Sequence, residues 1–113
     1  MKYSVLPRCA GAFLWCVAGV SMAAEPDAAK LEKGKAIFMT EAVPACAVCH
    51  TLDDAGATGA IGPNLDELKP SYEHVRKMVM EGAGTMPSFA ETLDEASVDA
   101  VAAYVAHVTG GGQ

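Results

Sequence analysis

The chain has 113 residues, with 14 acidic against 8 basic side chains and a net charge of −6. That length holds one small domain, and the acidic balance argues against a nucleic acid or an anionic membrane as partner. Four cysteines and three histidines are few enough for each to be weighed separately.

The opening stretch "MKYSVLPR" carries Lys2 and Arg8 ahead of an apolar run from Cys9 to Val20, followed by the small residues Ser21 and Ala23. This order predicts a secretory signal peptide, residues 1–23, cut after Ala23. The run of 12 residues falls short of the roughly 20 that a membrane-spanning helix needs, so no membrane insertion is expected after cleavage. Export would place residues 24–113 in the periplasm as a single domain. It would remove Cys9 and Cys16 and leave six basic residues against all 14 acidic ones, a net charge of −8. Such a surface favours a partner with a basic docking face.

Residues 27–40, "DAAKLEKGKAIFMT", place Leu31, Gly34, Ile37 and Phe38 at helical spacing behind Asp27, a good N-cap. Gly34 inside a helix costs about 1 kcal/mol relative to Ala. A close crossing with another helix, backbone against backbone, is a physical reason to carry that cost.

Next comes Cys46-Ala47-Val48-Cys49-His50, which admits three chemistries. A structural zinc site needs four ligands, commonly as two pairs, and the mature chain has no second cysteine pair. His74 and His107 are too widely spaced to act as a finger. A redox dithiol wants a strand-helix-strand context, and no segment alternates strongly enough to predict a strand. Haem attachment needs export, a histidine directly after the second cysteine, and a distant second ligand. In a helical turn the two thiols face one side and reach two vinyl groups of one porphyrin, while His50 projects at the iron.

The loop from Asp53 to Pro70 is rich in Gly, Asp and Pro and contains "GPNL", Gly62 to Leu65. A ligating histidine needs an acceptor for its other ring nitrogen, and the Pro63 carbonyl can serve. Ser71 then caps a helix whose apolar face is Tyr72, Val75, Met78 and Val79, ended by Gly82 or Gly84. Beyond it, "GTMPSF" presents Met86 from a loop, with Pro87 fixing the backbone after it. Met39, Met78 and Met80 stand in helical stretches and read as core filler, Met80 being the rival candidate for a ligand. The last helix, "SVDAVAAYVAHV", starts at Asp94 or Thr92 and stops at Gly110 to Gly112. His74 and His107 read as solvated. The fold class is all-α.

"CAVCH", "GPNL", "GTMPSF", a final helix with "AAYV" and a first helix with "GKAIF", in that order, resemble a class I c-type cytochrome from Leu31 to Val108. The resemblance implies the small cytochrome c fold: three to five helices around one covalently bound haem c, with N- and C-terminal helices crossing. It implies thioethers at Cys46 and Cys49, His50 as the proximal iron ligand, Met86 as the distal one, and Pro63 as acceptor for His50. The expected activity is electron carriage and not catalysis. The run from Val43 to Pro70 is also similar to small cytochromes that accompany bacterial sulfite dehydrogenases. That implies a periplasmic molybdenum sulfite dehydrogenase as donor and a cytochrome or terminal oxidase as acceptor. A haem sensor with a displaceable Met86, and a relay subunit bound inside one complex, are the competing readings.

Overall fold

The computed structural model describes residues 25–112, together with Gly11 and Gly19. Those two glycines aside, the expected signal peptide, with Cys9 and Cys16, lies outside the described residues. Five α-helices are present among the described residues: α1 (Ala28–Ala36), α2 (Cys46–Cys49), α3 (Leu65–Leu68), α4 (Tyr72–Glu81) and α5 (Glu95–Thr109). None is long and apolar enough to cross a membrane.

The caps are the residues with side chains suited to the task. Asp27 accepts from the Lys30 N–H at 2.7 Å, Ser71 from the His74 N–H at 3.2 Å, and Asp94, not Thr92, from the Ser97 N–H at 2.7 Å. α4 stops at Gly82 (φ 71°) and α5 at Gly110 (φ 77°), both in conformations that favour glycine.

The first helix departs from the sequence expectation. Regular α geometry ends at Ala36, and Ile37–Glu41 form a π-helical turn closed by the Ala42 N–H donating to the Ile37 carbonyl at 3.1 Å. Ile37 and Phe38 remain buried, but Met39 is 41 % exposed and does not fill the core. A second departure follows α2. β1 (Thr51–Leu52) and β2 (Ala57–Thr58) pair antiparallel, Thr51 opposite Thr58 and Leu52 opposite Ala57, around a 3₁₀ turn at Asp53–Ala55. Two-residue strands are too short to show alternation, so the sequence reads only as loop there. The architecture is otherwise the expected helical one.

The core is built where α1 crosses α5. A Cβ on Gly34 would run into the Ala100 carbonyl oxygen and stand 2.5 Å from the Tyr104 Cβ, so only glycine permits the approach. Phe38 meets Tyr104 edge to face, ring centres 6.2 Å apart. α4 packs on the same helix: Tyr72 donates to Asp99, which also pairs with Lys30, and Arg76 pairs with Glu95 at 2.6 Å.

Tyr104 is only 2 % exposed, and its hydroxyl donates to Asp54 at 2.7 Å, with Lys35 3.2 Å from the same carboxylate oxygen. Burial, then the hydrogen bond to Asp54, pushes the Tyr104 hydroxyl above the ordinary tyrosine range. The bond from Tyr104, then Lys35, holds Asp54 below the ordinary carboxylate range. The Asp54 contribution is therefore present above the carboxylate range and lost as pH falls through its folded value. The Tyr104 contribution is present below the tyrosine range and lost as pH rises through its folded value. Tyr104→Phe should cost about 1 kcal/mol at pH 7, since Asp54 is half in solvent. Denaturant unfolding at stepped pH should show the gap from the parent widest between the two ranges and closing on either side.

Candidate functional site

One cavity of about 350 Å³ collects all five sequence-predicted site residues: Cys46, Cys49, His50, Pro63 and Met86 all line it. Its walls are apolar and come from distant parts of the chain: Phe38 after α1, Leu65 and Leu68 of α3, Val75, Met78 and Val79 of α4, Phe89, and Val101 and Val105 of α5. The crossing of α1 and α5 thus also builds the back of the cavity.

α2 places Cys46 and Cys49 three apart on one helical turn, closed by the His50 N–H donating to the Cys46 carbonyl at 2.9 Å. Burial, with Cys49 adding to it, pushes the Cys46 thiol up to about 11. Among the described residues no three His, Cys, Asp or Glu side chains come together to hold a metal ion by themselves.

His50 is fixed from two sides. Its Nδ1 lies 2.8 Å from the Pro63 carbonyl oxygen, which makes Nδ1 the protonated nitrogen and leaves Nε2 a bare acceptor of a metal. Its ring lies flat on Gly62, where a Cβ would be 2.5 Å from Cε1 and 2.8 Å from Nδ1. The Gly62 N–H itself donates to the Cys49 carbonyl at 2.7 Å. Asn64 caps α3 by accepting from the Asp66 N–H at 3.0 Å, and Leu65 is buried. Every residue of "GPNL" therefore serves the His50 side of the cavity, where the sequence alone identified only Pro63. Gly59 works likewise: a Cβ there would come within 2.6 Å of the Cys49 carbonyl carbon, so the chain just after β2 presses directly against the end of α2.

Met86 reaches the cavity from the loop after α4, half-buried. Met80, the rival, does not line the cavity. Met78, read from sequence as core filler, does, as part of the apolar wall. His107 is exposed on α5, as expected. His74 is exposed too, yet it lines the cavity; helical spacing gives no hint of this, because the cavity lies between elements. Two thiols on one turn, one oriented imidazole, one thioether and an apolar slot are the donor set and lining that a covalently held haem needs.

The chain matches the family described as cytochrome C oxidase, cbb3-type, subunit III, over residues 29–105. It is 34% identical over 97 residues to the cbb3-type cytochrome c oxidase subunit CcoP of Azospirillum sp. (strain B510), and 36% identical over 92 residues to the subunit of that name from Cereibacter sphaeroides. Each alignment takes in 77% of this chain but 31% and 30% of the respective subunit, so the chain spans under a third of their length. Among solved structures, the c-type cytochrome SorU from Sinorhizobium meliloti superposes with a TM-score of 0.72 at 49% identity, covering 74% of this chain and 95% of that one. With a C-x-x-C-H that lines an apolar cavity, and relatives of this kind over most of its described length, the chain belongs to the class I c-type cytochromes and binds one haem c covalently.

Proposed function

We propose that Cys46 and Cys49 carry the thioethers, that His50 and Met86 are the axial ligands, and that the protein ferries single electrons in the periplasm from a molybdenum sulfite dehydrogenase to a cytochrome or terminal oxidase. The observation that carries this reading is that the imidazole held by Pro63 and the thioether of Met86 open onto the same apolar cavity. Bound haem iron supplies a reversible one-electron couple, and a protein of this family uses it for electron transfer and not for catalysis. The residues around it do the rest. Pro63 and Gly62 keep the imidazole from turning, Met86 closes the second axial position to small molecules, and the wall of Leu, Val and Phe side chains excludes water.

The rim supports docking. Ile61 and Leu68, both cavity-lining, are 69% and 50% exposed, and Val48, between the two cysteines, is 60% exposed. A small apolar patch on an acidic protein suits brief contact with a basic partner, steered by charge and released quickly. The periplasmic location rests on the N-terminal signal. The sulfite dehydrogenase rests on the resemblance of Val43 to Pro70. The match to CcoP subunits favours a second reading, a haem relay inside an oxidase.

Mixing the oxidised protein with sulfite-reduced sulfite dehydrogenase should give rapid haem reduction, slowing about tenfold or more between low and high salt as the acidic surface is screened. No reduction by the dehydrogenase, with rapid oxidation of the reduced protein by a terminal oxidase, would favour the relay.

A further inference from the structure

A neutral thioether is a weak axial ligand, so its hold on iron depends on how firmly the chain presents it. Met86 stands between two clamps. Before it, Ala83 and Met86 exchange both backbone hydrogen bonds at 3.0 Å, around a turn with Gly84 at φ 57°. After it, the Ser88 hydroxyl donates to the Met80 carbonyl at 2.6 Å and accepts from the Ala90 N–H at 3.2 Å. The Phe89 N–H donates to the Val79 carbonyl at 2.8 Å. Met80 and Val79 belong to the last turn of α4, whose carbonyls have no partner within the helix. Gly82 lets the segment lie close, since a Cβ there would be 2.6 Å from the Met86 carbonyl oxygen and 2.8 Å from the Ser88 nitrogen. Of all these ties, only that of Ser88 is made by a side chain.

We propose that Ser88 is a positioning residue for Met86: its hydroxyl, anchored on the end of α4, sets how often the sulfur leaves the iron. The proposal rests on Met86 being the axial ligand. Ser88 is exposed, so deleting its hydroxyl leaves the Met80 carbonyl to water and changes the whole fold little. The effect falls on local opening of the Met86 loop.

The test compares ferric holoprotein of the parent, Ser88→Ala, Ser88→Thr and Met86→Ala by the sulfur-to-iron charge-transfer band across pH, the rate of cyanide binding, and the thermal midpoint. Ser88→Ala should bind cyanide about three- to tenfold faster, the effect of one lost hydrogen bond on an opening equilibrium. It should lose the band at lower pH while its midpoint stays within a few degrees of the parent. Ser88→Thr should restore both. Cyanide binding and a band unchanged in Ser88→Ala overturn the proposal, as does a uniform loss of stability that Ser88→Thr does not reverse. A parent without the band, or a Met86→Ala variant that keeps it, overturns the ligand assignment and the proposal with it.

Discussion

Holoprotein carrying Met86→Ala is expected to keep its haem attached while its reduction potential falls by on the order of 0.2 V, a part of the range that axial ligands command. Attachment should survive because the cysteines proposed to carry the thioethers sit on α2, and Met86 sits beyond α4. The potential falls because thioether sulfur favours the ferrous state, and the water or hydroxide that replaces it does not. Potentiometric titration reads the potential, and haem retained on the denatured chain reads attachment. A potential equal to the parent's would remove Met86 from the ligand set and make Met78, the other cavity-lining methionine, a candidate for the first time.

Gly34→Ala should lower stability by about 2–3 kcal/mol, against a helix propensity that taken alone gains about 1 kcal/mol. The new Cβ would stand 2.5 Å from the Tyr104 Cβ and 2.8 Å from the Ala100 carbonyl carbon. Neither is the free end of a flexible chain, so α1 and α5 must part. For a domain of this size the thermal midpoint should drop by roughly 10 °C or more. Because Val101 and Val105 on α5 also wall the cavity, the visible spectrum should begin to change before the helices melt. A variant as stable as the parent would mean that the crossing yields without cost.

What could be read from sequence was local or fixed by chemistry. Asp27, Ser71 and Asp94 cap helices because a side-chain oxygen two or three residues before an unpartnered N–H is a short-range matter. Cys46, Cys49 and His50 are adjacent, and Pro63 and Met86 stand out by the company of glycines and prolines. The crossing at Gly34 was legible because a glycine inside a helix needs a reason. The remainder depends on contacts across the chain. Gly62 looks like half of an ordinary turn until the His50 ring is laid on it. The π turn at Ile37–Glu41 leaves no mark in the apolar pattern, so Met39 reads as buried when it is not. Met78 and His74 line the cavity only because of how α4 is set against its neighbours, which helical periodicity does not specify.

The same helix that locks onto α1 supplies a wall of the haem slot, and it follows every other described element. During synthesis, Cys46 and Cys49 therefore emerge before Val101 and Val105, while the cleft is still open. Arrival of α5 against α1 then completes the slot. Such long-range closure is slow compared with forming a single helix, which leaves time for attachment chemistry. Maturation order is in this way written into topology: a chain truncated before α5 should still accept haem covalently but never enclose it.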